Sequence, residues 1–208
     1  MEGKATSKPP SGAPAGARDP RGRRGAILDT ALELFNSDGY SPTSIQDIAE
    51  MANASVGSIY HHFSGKEGIA AALYTEGLSD YHRGLLRELQ QERKTAEEAV
   101  KALVRNHLRW IERNREVARF LFTSRDPEVL GATADELDGM NERIFHAVGV
   151  WRDRWAKELQ DLPIGLFHSI VLGPSQEFGR HWVAGRVKQS IDEAEPALAD
   201  AAWKAVRR

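Results

Sequence analysis

The stretch from Thr43 to Phe63, TSIQDIAEMANASVGSIYHHF, holds two short helix patterns joined by a break too brief for an ordinary loop. That spacing restricts the segment to a helix-turn-helix. The first helix starts at Thr43 or Ser44, because Gln46 follows Thr43 and Asp47 follows Ser44 at capping-box distance. Ile45, Ile48 and Ala49 then give one apolar face. Asn53 comes after Met51 and Ala52, and asparagine is the non-glycine residue that best accepts the left-handed backbone of a tight turn. Ser55 is placed to cap the second helix, with Ile59, Tyr60 and Phe63 as inward anchors. Val56, Gly57, Ser58 and His61 face away from these anchors. A helix entering a groove needs such small residues, and the free N–H groups at its start favour phosphate. The bland alternative is a compact helical hairpin on the surface.

The flanks add register. Gly39-Tyr40, Thr43-Ser44, Ile48-Ala49, Ser55-x-Gly57-x-x-Tyr60-x-His62-Phe63 and Lys66-Glu67 follow one another in fixed order. This pattern resembles the DNA-binding domain of the TetR family of one-component transcriptional regulators over roughly residues 21 to 70, with Asn53 standing where that family usually has glycine. The resemblance implies an all-α fold: an N-terminal three-helix helix-turn-helix domain (21–68) and a larger C-terminal helical domain for effector binding and dimerisation (69–208). It implies a double-stranded DNA operator as partner, a homodimer, a small-molecule effector and repression as the usual mode. Gln46, Val56, Ser58 and His61 are expected near base edges, with Gly57 allowing close approach. Thr43, Ser55, Tyr60, His62 and Lys66 are expected on phosphates, Lys66 because a cation and a helix start converge on one anion site. Tyr60 and His62 also read as partly core.

A net charge of -2 conceals segregation, since residues 1–24 carry six basic and two acidic groups and the remainder holds -6. Residues 1–20, rich in Pro, Gly, Ala and Ser, are expected to form a disordered basic tail. Arg21, Arg23 and Arg24 adjoin ordered structure and are its natural DNA contacts. There is no cysteine, which excludes disulfides and thiolate metal sites and suits a reducing cytoplasm. No apolar run approaches the ~20 residues of a membrane span, and Lys4 and Lys8 are followed by no apolar segment of a signal peptide.

Ile27, Ala31, Leu34 and Phe35 stripe a first helix from Arg23 to Ser37, closed by Asp38-Gly39. Ser64 and Glu67 have the capping-box spacing for a fourth helix reaching about Gln91, the natural lever between head and body. Further helices follow: one capped by Thr95 and Glu98, a short one over Val117–Phe122, one from Asp135 to Leu159, one from Pro163 to about Gly185 interrupted by Pro174, and a last one after Glu195-Pro196. In the penultimate helix Phe167, Val171, Phe178 and Trp182 form one stripe, and Leu166, Ile170 and Gly173 another. A helix apolar on two sides is buried on two sides, so a second subunit is expected on Phe167, Val171, Phe178 and Trp182 with Leu198, Ala201, Ala202 and Ala205 of the last helix. Operator symmetry asks for the same dimer.

An effector pocket is implied by the resemblance, with His107, Trp110, Phe120, His146, Trp151, His168 and Phe178 as its expected lining and core packing as the alternative for each. No cofactor and no metal are expected, because no His, Asp and Glu set has ligand spacing and His61-His62 are adjacent. Nucleophile-elbow, phosphate-loop, zinc-protease and cysteine motifs are all missing, so no catalytic residue is assigned. The rival readings are a ligand-blind architectural DNA binder and, further off, an all-helical enzyme anchored by its head.

Overall fold

The computed structural model describes residues 22–123 and 127–208, so the N-terminal tail with Arg21 lies outside the described residues. Among them the chain runs α1 (Gly22–Ser37), α2 (Ile45–Met51), α3 (Val56–Phe63), α4 (Lys66–Leu89), α5 (Ala96–Arg113), α6 (Arg115–Thr123), α7 (Pro127–Asp153), α8 (Ile164–Val183) and α9 (Ile191–Val206). The only β-type pairing among the described residues is an isolated bridge between Leu159 and Arg207.

Local chemistry sets the corners of the head. Ser44 caps α2 and Asp47 answers with its carboxylate on the Ser44 N–H at 2.8 Å, so the capping box belongs to Ser44 and not to Thr43. Asn53 turns the chain with φ +48°, and Ser55 caps α3 by accepting from the Ser58 N–H at 3.1 Å. The expected Ser64–Glu67 box is absent. Ser64 instead ends α3 in the left-handed conformation, and Gly65 at φ +131° opens α4. That φ excludes a side-chain-bearing residue there. Gly68 then lies so close beneath α3 that a Cβ would fall 1.6 Å from the Phe63 carbonyl oxygen.

Two cores result. In the first, Ile27, Ala31 and Phe35 of α1 meet Ile48 of α2 and Ile59 and Phe63 of α3. Ile69, Ala70 and Leu73 of α4 belong to this same core, as does Phe120 of α6. In the second, Leu85 and Leu89 at the far end of α4 join Val100, Val104 and Leu108 of α5, Ile144, Val148 and Trp151 of α7, Phe167 and Val171 of α8, and Ala199 and Ala202 of α9. Helix α5 is central, and one of its polar rows faces α9. Lys101, Arg105 and Arg109, at i, i+4 and i+8, pair in antiparallel order with Asp200, Glu195 and Asp192.

Three boundaries differ from the sequence reading. Helix α7 begins at Pro127, a first position that tolerates proline, and stops at Asp153. Leu159 has already left the helix to be buried against the C-terminus, where the Gln160 N–H donates to Val206 O at 2.8 Å and the Arg208 N–H to Glu158 O at 2.9 Å. Helix α9 starts at Ile191 behind a Ser190–Glu193 capping box, which leaves Pro196 inside the helix, within its second turn. No helix of the described residues is long and apolar enough to cross a membrane.

The glycines differ sharply in what surrounds them. Gly68→Ala is expected to destabilise the protein by about 1–3 kcal/mol, because backbone must shift to admit the methyl group. Gly149→Ala on α7, where nothing lies within 4 Å, is expected to be neutral or to stabilise by up to ~1 kcal/mol. Paired urea denaturation curves check both, and equal midpoints would contradict the close approach.

Candidate nucleic-acid interface and ligand cavity

Ile59 and Phe63 of α3 are buried in the head core, which turns the opposite face of the helix outward. Val56 is 36% exposed and Tyr60 55% exposed. Tyr60 is therefore a surface residue and not one of the inward anchors. Ser55, Gly57, His61 and His62 are also exposed, Ser58 is half-buried, and Gln46 of α2 is exposed. The rings of His61 and His62 meet edge to face at 5.1 Å, adjacent positions notwithstanding.

Four expected DNA contacts have partners within the chain. Thr43 is 3% exposed and its hydroxyl donates to Gly39 O at 2.7 Å, so it clamps the turn between α1 and α2 and is closed off from a phosphate. Arg23 donates to Asn53 O at 2.6 Å, holding the turn of the helix-turn-helix. Arg24 pairs with Glu76 and stacks 5.0 Å over the Phe63 ring. Lys66 Nζ donates to Tyr40 O at 3.0 Å and to Ser41 O at 3.3 Å and sits 4.4 Å above the Tyr40 ring. An ammonium carries three donors, so the third remains for a phosphate at the start of α4.

A cavity of about 240 Å³ opens between α4, α5, α6, α7 and α8. His107, Trp110 and His168 line it as the sequence reading expects, joined by residues that reading missed: Tyr74, Tyr81 and His82 of α4, Phe122 of α6, Asn141 and Phe145 of α7, and Gln176 of α8. Four expected lining residues are elsewhere. Phe120 is stacked on Phe35 at 5.9 Å in the head core, and Trp151 is buried in the body core. His146 is exposed because its neighbour Phe145 takes the inward position, and Phe178 packs on the outer side of the body core. Burial dominates the titration of the cavity histidines, pushing His82 down to about 4 and His107 down to about 3, with His168 also lowered. They are neutral imidazoles at neutral pH.

Helices α8 and α9 correct the expected subunit face. Phe167 is 1% exposed, and Val171 and Ala202 are buried with it in the chain's own core, so these three are closed to a second subunit. Trp182 is half-buried under Arg115, 4.8 Å from its ring. The outward stripe of α8 is the other one, where Leu166 is 48% exposed and Ile170 and Gly173 are half-buried; Phe178, of the first stripe, is half-buried as well. On α9, Ala201 and Ala205 are exposed and Leu198 is half-buried.

The described residues thus form an all-helical protein with a helix-turn-helix head joined to a helical body that holds a cavity. The family described as bacterial regulatory proteins, tetR family, matches residues 27–73. Residues 27–73 thus match the DNA-binding domain of the TetR family of transcriptional regulators. A probable transcriptional regulator YttP of Bacillus subtilis is 30% identical over 46% of this chain and 47% of its own length. The transcriptional repressor KstR2 of Rhodococcus jostii is 36% identical over 40% of each chain. The chain thus spans less than half the length of these curated relatives. The fold extends further, because the Bacillus subtilis regulator FadR, solved in complex with stearoyl-CoA, matches 85% of this chain and 96% of its own with a TM-score of 0.67 at 19% identity. The curated relatives are described as a transcriptional regulator and a transcriptional repressor.

Phe120→Ala is expected to cost about 3–5 kcal/mol, a loss that falls on the head core although the residue belongs to a body helix. Hydrogen exchange at Ile27, Ile48 and Ile59 amides accelerating more than at those of Val100 and Val104 would show it; uniform acceleration would contradict the assignment of Phe120 to the head.

Proposed function

We propose that this chain is a homodimeric, ligand-responsive repressor that places α3 in the major groove of a palindromic operator and is released when a small molecule fills the cavity beside α4. One observation carries the reading: α3 turns Val56, Gly57, Tyr60, His61 and His62 outward while Ile59 and Phe63 are buried in the head core. His61 and Gln46 supply hydrogen-bonding groups for base edges, and Val56 and Ser58 suit a thymine methyl group. Ser55, Tyr60, His62 and the spare donor of Lys66 face phosphate. Repression follows the naming of the KstR2 relatives, and a ligand in the body follows the acyl-CoA complex of the FadR relative.

The second subunit sits on Leu166, Ile170 and Phe178 of α8 with Leu198, Ala201 and Ala205 of α9, the apolar residues those helices leave uncovered. Matching two heads to half-sites about 34–36 Å apart needs a fixed dimer. The ligand acts on that spacing through α4, whose Tyr74, Leu78, Tyr81 and His82 line the cavity.

Selection of bound fragments from genomic DNA, followed by gel shift, tests the reading. His61→Ala is expected to change the preferred sequence at a cost of about 1–3 kcal/mol, whereas Lys66→Ala weakens all sequences and lowers the salt slope by about 1. Leu166→Arg is expected to give a monomer by light scattering and to abolish operator binding. Sequence-tolerant binding by the native chain, or a monomeric native chain, would refute it.

A further inference from the structure

The cavity's lining carries a chemical signature of its occupant. A dry cavity of ~150 Å³ holds one benzene molecule. At about 240 Å³ this one takes a body of roughly ten non-hydrogen atoms, far short of a coenzyme thioester. Three histidines reach it from three helices, His82 on α4, His107 on α5 and His168 on α8. Among the described residues its lining includes no Asp, Glu, Lys or Arg.

The histidines are built in. The Tyr81 ring stands between two of them, 5.7 Å from the His82 ring and 5.3 Å from that of His107. His107 Nδ1 lies 3.0 Å from the Tyr81 hydroxyl, while its Nε2 is buried with no partner among the described residues. An unpaired buried nitrogen is unfavourable, and a ligand's polar group that meets it removes the penalty. His168 meets Phe145 edge to face at 5.6 Å, and Tyr74, Asn141 and Gln176 add further polar groups. Helix α6 contributes only Leu121 and Phe122.

Charges around the site favour an anion. Arg143 of α7 is near enough for its charge to be felt at His82. The nearby carboxylate of Asp80 is engaged elsewhere, accepting from Trp110 Nε1 at 2.8 Å and from Arg83 at 3.1 Å. Nothing negative in the lining is available to hold a protonated histidine.

The geometry points to a small amphipathic acid as the occupant, its apolar or aromatic body against Trp110, Phe122 and Phe145 and its acid group on His107 and His168, taken up together with one proton. This rests on the reading of the cavity as the effector site. The histidines are neutral at neutral pH, all three depressed by burial, with the charge of His168 lowering His82 and His107 further and that of Arg143 also lowering His82. A carboxylate beside them raises the affinity for a proton, and the complex holds one more proton than its separated parts whether that proton sits on the ring or on the acid. Affinity for the anion therefore falls as pH rises, by up to about tenfold per pH unit, until pH passes the value at which the complex gives its proton up.

Isothermal titration calorimetry of the full chain at pH 7, in two buffers of different ionisation heat, tests this with phenylacetate and octanoate against phenylacetamide and octanamide. The acids are expected to bind at least about tenfold tighter than the amides, with uptake of about one proton. His107→Phe removes both the preference and the uptake, and His168→Leu does so if the first variant does not fold. Amides that bind as well as the acids, acids that bind without proton uptake, or no binding by any of the four overturn the inference. Gel shifts with the same compounds separate the two readings. Acid binding with proton uptake but no release of DNA sinks the effector role alone, and release by a neutral or thioester ligand without uptake sinks the acid alone.

Discussion

Helix α4 is held at both ends by different cores, and the rest of the molecule is arranged around that fact. Ile69, Ala70 and Leu73 are fixed among α1, α2 and α3, while Leu85 and Leu89 are fixed among α5, α7, α8 and α9. Close packing makes each attachment stiff. At the head end Gly68 rests against the Phe63 carbonyl, and Lys66 ties the first turn of α4 to the α1–α2 connection. A displacement at the body end is thus carried into the position of α3 without a flexible joint between them.

Helix α6 makes a second link of a different kind. Phe120 is inserted in the head core, and the next two residues, Leu121 and Phe122, line the body cavity. Three consecutive side chains of one helix therefore serve two compartments. The same helix is fixed outside the cavity as well, since Gly77 of α4 leaves room for Val117 and Arg119 donates to Val183 O at the end of α8 at 2.9 Å. Asn36 of α1 reaches back to Glu116 O at 2.9 Å. Head and body share surfaces through α4 and α6 together, and the large apolar side chain of Phe120 makes their contact a packed one.

Much of the head was legible because its signals are local. The i, i+3, i+4 anchors, the serine caps and the left-handed asparagine act within a few residues, and Asn53 does adopt φ +48°. Ser64 was misread for the same reason: its spacing to Glu67 matches a capping box, but the positive φ at both Ser64 and Gly65 places the boundary one residue later. In the body, periodicity identifies apolar faces without saying what each one meets. The two stripes of α8 are chemically alike, and only tertiary packing sends Phe167 and Val171 inward and leaves Leu166 outside. Phe120 reads as core from its helix, and nothing in its neighbours names the core it joins. Tyr81 and His82 lie on the helix that joins head to body, and their positions seven and eight residues after Tyr74 put them on the same face.

Geometry then sets how small a change at the cavity suffices for control. From Lys66 to Tyr81 α4 advances about 22 Å, at ~1.5 Å per residue. A tilt of roughly 5° about its body end shifts the head by ~2 Å, comparable with the length of a hydrogen bond and therefore enough to break contacts to base edges. Inverting an equilibrium from 99:1 to 1:99 takes a ligand that distinguishes the two states by about 5.5 kcal/mol. An apolar body alone discriminates weakly, because packing surface of similar extent survives small tilts. A polar group held by side chains on different helices discriminates strongly, since its hydrogen bonds are lost over fractions of an ångström. His107 and His168 are fixed in α5 and α8 while His82 rides on α4 itself, so the proposed acid, held by the first two, meets the lever at the third.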